Sequence, residues 1–553
     1  MSNPSPSTAT QPGDTQAQGW EASLPARIKR DGHLWANTTI ALEAWRKAAD
    51  MPERTALFLE DGSDPSYGEL ALEARRLITA FRELGLEEGD VVSFQLPNWR
   101  EVAPIDIAAA ALGLVVNPIV PIYRDAELRY ILADACTRVL FIPEQFRSIH
   151  YVDMVASLRA DLPALDQVVS VRAQHDYPGV IRYESLLASA PADLASLPQV
   201  DPNRPKCRLY TSGTTGFPKA VLHSHNTLNH VQQCSIRHAA IGPDDVMLMP
   251  SPVTHITGYS SGINMAFTGA GRCALMARWD ADAAIDFIHR VGGTLTVGAT
   301  PFLAELLDAC ERRGDGLPSM RQFSCGGASV PPELVRRAYR VLDNCITARV
   351  FGSTEVPLVS YGWRDDPERA ATTDGQLYAF DVKVLDEEGN EVPAGEDGEI
   401  AARGPGMMLG YADPAQHAAA HTEDGFFLTG DIGRVTPEGA VLITDRKKDI
   451  IIRGGENLSA REIEDVLHLH PAVQDAAVVA MPHPRLGEGV CALVITRPAA
   501  SLTLEALAEF TDARGLARQK IPERLVLVDE LPRTPSGKVR KDILRKRLQN
   551  GEL

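Results

Sequence analysis

Along most of this chain short apolar runs alternate with stretches whose apolar residues recur every three or four positions. That alternation predicts strands and helices in turn. Strands are expected at 91–96, 114–117, 139–142 and 295–298, and helices at 101–112, 126–134, 281–291, 302–312 and 332–341. Such order implies parallel sheets covered by helices. From about Gln376 the texture changes to short strands joined by turns, with hairpin-like turns at 386–390 and 394–399. A charged run at 445–449 opens a last block with its own helix, 462–467, and strands, 476–480 and 492–496. The expected fold class is α/β: a large N-terminal domain of parallel sheets flanked by helices plus a distorted β-barrel, and a small C-terminal α+β lid. Its divisions are a disordered tail at 1–20, rich in Ser, Pro, Thr, Gln and Gly, then 21–445 and 446–553.

The most apolar stretch, 103–122, contains Asp106, Asn117, Pro118 and Pro121. An unpaired acid and two prolines suit a bilayer poorly, so it reads as a buried helix running into a buried strand, and no membrane span is expected. The 553 residues carry 55 basic and 73 acidic side chains, a net charge of −18. That surplus argues against a nucleic-acid coat or an anionic-membrane binder, both of which need a positive field. The start of the chain lacks the cationic and apolar regions of a secretory signal. Eight cysteines without a CxxC pair fit a reducing, cytoplasmic setting.

Candidate chemistry begins at Thr211, Ser212, Gly213, Thr214, Thr215 and Gly216, followed by Lys219. Glycines let backbone amides approach an anion, and hydroxyls add donors for phosphate. The spacing is not that of a Walker A loop, and alone it would read as a polar turn. Further on, Phe351, Gly352, Ser353, Thr354 and Glu355 place a ring, two hydroxyls and a carboxylate together after a strand-like run. A ring can stack on a purine, and a carboxylate can hold Mg²⁺. Then come 429–431, Asp445 with Arg446, 453–457 and 532–538. An aspartate can accept from ribose hydroxyls, while arginine and lysine oppose phosphate charge.

With these six pieces in this order, the chain resembles the acyl-adenylate-forming superfamily, which holds acyl-coenzyme A synthetases, peptide-synthetase adenylation domains and firefly-type luciferases. The resemblance runs from about Trp35 to Arg547 and is nearest in look to ligases for medium-chain or cyclohexanecarboxylate-like acids. It implies ATP-dependent activation of a carboxylic acid to acyl-AMP with release of pyrophosphate, then transfer to coenzyme A. By resemblance, Thr211 to Gly216 with Lys219 would hold the β- and γ-phosphates of ATP, and Gly326, Gly327, Ala328 and Ser329 would line the adenine and acyl pockets. Phe351 stands where most members carry an adenine-stacking tyrosine, with Gly352 and Ser353 beside it. Thr354 would meet the α-phosphate, Glu355 the Mg²⁺, and Asp431 and Arg446 the ribose. Lys448 would be a hinge whose rotation brings Arg453, Gly454, Gly455 and Glu456 to the pantetheine. Lys538 would bridge substrate carboxylate and α-phosphate, and its surroundings resemble a site used by protein lysine acetyltransferases. A cation is also required there on physical grounds, because a carboxylate attacking an anionic phosphate faces like-charge repulsion.

The acyl pocket implied by the resemblance is built from His255, Gly258, Tyr259, Thr300, Pro301 and Gly326. The stretch 255–262 has no acidic residue to pair a substrate ammonium, which points to a plain carboxylic acid. Gly258, Gly262, Ala299 and Gly352 suggest room, and Tyr259 and Phe302 suggest apolar walls, so a medium-chain, alicyclic or aromatic acid is expected. The alternative is a stand-alone adenylating enzyme that loads a separate acyl carrier protein, since the short stretch after Lys538 is not expected to hold a fused carrier.

Overall fold

The computed structural model describes residues 19–211, 218–534 and 537–553. The expected tail falls almost wholly outside them, but Trp20 already opens a helix, Trp20–Asp31. Its Arg27 donates to the carbonyls of Met408 (2.5 Å) and Met407 (2.7 Å), tying the chain's start to the N-terminal domain.

Two sheets organise that domain. One holds eight strands in the order Gly410–Tyr411, Lys219–Ser224, Pro205–Thr211, Val115–Pro118, Val91–Phe94, Thr137–Pro143, Gln167–Val171 and Val180–Arg182. Its last six strands run parallel. The other holds Leu57–Leu59, Arg272–Leu275, Val246–Met249, Leu295–Gly298, Gln322–Gly326 and Ile346–Val350, all parallel. The strand–helix alternation is thus realised, and Ala281–Val291, Leu295–Gly298 and Pro332–Val341 begin and end at the residues expected.

Helix Val102–Leu112 is buried on every face, which explains why its sequence is apolar all round except at Asp106. Its Asp106 is not the unpaired acid that the sequence suggested. Lys206 Nζ donates to both carboxylate oxygens at 2.9 Å, and burial without such a partner would be costly. Among the described residues no helix is long and apolar enough to cross a membrane.

The barrel region takes the form of a four-stranded antiparallel sheet, Asp381–Leu385, Gly398–Arg403, Phe427–Val435 and Val441–Arg446. The Val441 edge is continued by backbone bonds from 374–377 rather than by Asp381–Leu385. In the C-terminal domain the paired strands Val473–His483 and Gly487–Thr496 separate two cores. Ala476 and Val478 face Ile463 and Leu507 on one side, while Ala477 and Val479 face Leu544 and Leu548 on the other. Period-two burial of this kind is what a strand covered on both faces requires.

Candidate active site

Three parallel neighbours deliver the centre of the site. Gly298 pairs with Cys325 and Gly326 with Val350, so Leu295–Gly298, Gln322–Gly326 and Ile346–Val350 end at one level. Beyond them come Ala299 with Thr300 and Pro301, which open the helix Thr300–Arg313, and the loops Gly327 to Ser329 and Phe351 to Glu355. The carboxyl edge of a parallel sheet is where such folds bind ligands. A Cβ on Gly326 would lie 2.4 Å from the Val350 carbonyl oxygen, so only glycine lets these strands approach. Thr300 Oγ1 donates to the Ser329 carbonyl at 2.7 Å, while the Ser329 hydroxyl is buried without a hydrogen-bond partner.

A second wall comes from Pro205–Thr211 and Lys219–Ser224, which pair antiparallel with Thr211 opposite Lys219. The candidates Ser212, Gly213, Thr214, Thr215 and Gly216 lie outside the described residues. Tyr411 donates to Glu355 Oε1 at 2.8 Å, Thr211 Oγ1 reaches the same oxygen at 3.5 Å, and the Lys219 ammonium lies 5.0 Å from the Tyr411 ring centre. His223 sits beneath Thr354, its Nε2 bonded to the Thr354 carbonyl at 2.7 Å and its Nδ1 to Thr227 Oγ1 at 3.0 Å. Burial lowers its pKa to about 4, so the ring is neutral and Nε2–H is the donor. Neither Tyr411 nor His223 was named from sequence; both act through partners more than fifty residues away, a relation no local motif carries.

The third wall pairs Asp431 with Arg446 across Phe427–Val435 and Val441–Arg446, and Arg446 Nε donates to Asp431 Oδ1 at 2.7 Å. The Asp431 charge holds the Arg446 pKa up. Asp445, beside it, instead accepts from the Ala460 amide at 2.6 Å and so anchors the helix Ala460–Leu467.

Lys538 reaches this cleft from the C-terminal domain. A Cβ on Gly327 would lie 3.8 Å from Lys538 Cε, and one on Gly537 3.2 Å from Ala299 Cβ. Burial lowers the Lys538 pKa to about 8; Arg446 lowers it further, while Asp431 and Glu355 oppose. His255 is driven to about 4, first by burial and then by Lys538. The structure thus gathers Lys538, Asp431, Glu355, Arg446, His255 and Gly327.

It does not gather Arg453 to Glu456. These form the turn between Ile451–Arg453 and Glu456–Leu458, with Gly454 at φ 61° and Gly455 at φ 90°. Arg453 is spent on Glu523 at 2.6 Å within its own domain. Lys448 lies in the turn after Val441–Arg446, where Arg545 donates to its carbonyl at 3.4 Å.

The acyl-pocket expectations need correction. Tyr259 is no apolar wall: its buried hydroxyl donates to Asp106 Oδ1 at 2.5 Å and accepts from Lys206. Gly258 gives no width, because a Cβ there would lie 2.2 Å from the Pro252 carbonyl oxygen. A Cβ on Gly262 would meet Met249 Cγ at 2.9 Å, and one on Gly352 the Leu358 nitrogen at 2.4 Å. Close packing against neighbouring chain accounts for all three glycines, so they say nothing of tail length. A cavity lies beneath the strand ends, lined among others by Ser261, Met265, Val297, Ser324, Val350 and Leu358.

Among the described residues no group of three or more His, Cys, Asp or Glu could hold a metal ion. Glu355 alone fits Mg²⁺, which commonly takes one carboxylate together with substrate phosphates and waters.

The sequence model described as AMP-binding enzyme matches residues 44–412, and that described as AMP-binding enzyme C-terminal domain matches 462–538. The chain is 35% identical over 522 residues to the medium-chain fatty-acid–CoA ligase of Escherichia coli (strain K12), covering 94% of this chain and 92% of that one. It is 33% identical over 532 residues to the 2,3-dihydroxybenzoate-AMP ligase of Bacillus subtilis (strain 168), covering 95% and 96%. Among solved structures, ATP-bound MatB from Rhodopseudomonas palustris is similar at 27% identity and TM-score 0.82, covering 94% of this chain and 100% of that one.

Proposed function

We propose that this chain, which belongs to the AMP-binding enzyme family and is an AMP-forming ligase that activates a carboxylic acid, joins a medium-chain, alicyclic or aromatic acid to coenzyme A. The observation that carries the reading is the desolvated Lys538 ammonium held over a cleft that also presents Asp431 and Glu355.

In this reading the ribose hydroxyls of ATP donate to Asp431, with Arg446 beside it, and Phe351 packs against the adenine. A substrate carboxylate oxygen attacks the α-phosphorus; the new P–O bond forms as the bond to pyrophosphate breaks. Lys538 touches both reacting anions and offsets their repulsion. Thr354 donates to the α-phosphate from a backbone that His223 holds in place. Mg²⁺ on Glu355 would supply charge neutralisation to the leaving phosphates. In a second step a thiol, its proton given up to solvent, attacks the acyl carbonyl through sulfur, and AMP departs with the electron pair of the broken C–O bond. For that step the C-terminal domain, taken as a lid from Arg446 onward, would turn about Lys448 and present Arg453, Gly454, Gly455 and Glu456 in place of Lys538.

The apolar part of the cavity beneath the strand ends, with Met247, Met265, Val297 and Leu358, suits an apolar tail, while Ser235, Ser261, Thr296, Ser324 and Tyr361 hydroxyls with His238 and Gln322 make the rest of its wall polar. Among the described residues the acid hydrogen-bonded to 255–262 is Asp106, which is committed to Lys206 and so is not free to pair a substrate ammonium. Seven of the eight free cysteines are buried, which suits a cytoplasmic enzyme. Acetylation of Lys538 by a lysine acetyltransferase would remove the bridging charge, and would need the lid displaced first.

The similarity to an aryl-AMP ligase favours a second reading, in which a carrier-protein thiol replaces coenzyme A. Pyrophosphate release with ATP, Mg²⁺ and a panel from acetate to decanoate, with benzoate and cyclohexanecarboxylate, tests both. Continuous release that needs acid and coenzyme A supports the first. One equivalent, unaffected by coenzyme A, points to the carrier, and no release with any acid removes the proposal.

A further inference from the structure

The peptide unit that precedes the Lys538 side chain is held at both ends. Its carbonyl, that of Gly537, accepts from Arg533 Nη1 at 2.6 Å. Its N–H, that of Lys538, donates to Thr534 Oγ1 at 3.0 Å. The same Arg533 donates through Nη2 to Asp475, on strand Val473–His483. Asp475 is itself fixed, its Oδ1 accepting from the Ala476 amide at 2.9 Å and contacting His468 Nε2 at 3.4 Å.

This arrangement answers a physical problem. Lys538 follows Gly537, which stands at φ +85°, a conformation open to glycine and otherwise rarely occupied. A glycine beside a four-carbon side chain gives the ammonium many places to be. Backbone bonds close the turn at its base, with the Thr534 amide donating to the Lys538 carbonyl at 2.7 Å and the Arg540 amide to the Pro532 carbonyl at 2.7 Å. The Gly537 amide also donates to the Thr534 carbonyl at 2.9 Å, yet none of these backbone bonds is made by the C=O or N–H of the Gly537–Lys538 peptide unit itself. A planar guanidinium grips a carboxylate and a carbonyl at once in fixed directions, whereas a lysine at 533 would offer its donors from one rotatable point.

We infer that Arg533, braced by Asp475, is a positioning residue for adenylation: it fixes the plane of the Gly537–Lys538 peptide and so aims the Lys538 ammonium into the cleft. Arg533 spends its donors on the Gly537 carbonyl and on Asp475, so its action on Lys538 runs through the backbone. The inference rests on the adenylation role of Lys538.

Acid-dependent exchange of pyrophosphate into ATP tests it in the full chain. Arg533→Gln and Arg533→Lys should each lower kcat roughly 100-fold, the size expected for a misplacement of about 1 Å. KM for ATP and for the acid should stay near the wild-type values, and Asp475→Asn should lie between. A merely structural role would instead lower the thermal midpoint and leave the kcat of the folded fraction intact. The cycle with Lys538→Ala separates the two further. If Arg533 works through Lys538, the double variant is no slower than Lys538→Ala alone; a further 100-fold loss overturns the inference, as does a change confined to KM. Wild-type chain that exchanges no pyrophosphate with any acid would instead fail the adenylation reading, so the two failures are distinct.

Discussion

Lys538 gives up its proton more readily than a surface lysine, because burial and the Arg446 guanidinium both disfavour its charged form. A lysine is charged below its pKa, so adenylation should hold below about pH 8 and fall as the pH rises through it. Bound phosphates favour the charged form. The alkaline limb of kcat/KM should therefore lie near pH 8 and that of kcat higher. Pyrophosphate exchange followed between pH 6.5 and pH 10 checks this; coincident limbs, or a limb unchanged in Lys538→Arg, would assign the titration to another group. At this scale short motifs single out Glu355, Asp431 and Lys538, and the structure brings these three to one cleft. The sequence was silent on His223 and Tyr411, whose partners Thr354 and Glu355 are distant in the chain and close only once sheets and loops have assembled.

Elements were legible wherever one period ruled. Helix Ala281–Val291 shows a clean apolar face and was placed to the residue. The segment Thr257–Asn264 winds as a π-helix, a form with no sequence period of its own, and its side chains were assigned to the wrong surroundings. Tyr259 is the sharpest case, since its ring reads as pocket lining and its hydroxyl sits between Asp106 and Lys206. Tyr259→Phe should lower the unfolding free energy by about 1–3 kcal/mol, the usual effect of removing a buried bonding partner. Its ranking of acids should match that of the wild type. Denaturant unfolding and the acid panel measure both, and a reordered ranking would return Tyr259 to the pocket wall.

Across the whole molecule, the two domains meet at a buried cluster of charges. Asp374 Oδ1 accepts from Arg349 Nη2 at 2.6 Å within its own domain and from Arg461 Nη2 at 3.1 Å, which arrives on the C-terminal helix Ala460–Leu467. Its Oδ2 accepts from the Ile443 amide at 2.9 Å, and the paired arginines hold the Asp374 pKa down against the effect of burial. The change of pattern near Lys448 suggests a boundary there, but nothing in the sequence marks this contact, because Asp374 and Arg461 look like ordinary surface charges in their local sequence. Asp374→Asn leaves two buried arginines short of a counter-charge and should destabilise the protein by about 3–5 kcal/mol. It should also loosen the C-terminal domain first. Thermal unfolding with limited proteolysis near 446–450 checks both, and an unchanged midpoint would show the cluster to be dispensable.

That shared charge balance makes the two parts of the chain a matched pair. A C-terminal part grafted from a relative onto residues 1–445 would have to bring a basic residue to the place of Arg461. With a neutral one, Asp374 keeps only Arg349; with an acidic one, two carboxylates face each other out of water. Interchangeability of parts in this enzyme is therefore decided as much at Asp374, on the seam, as by any group that meets the substrate.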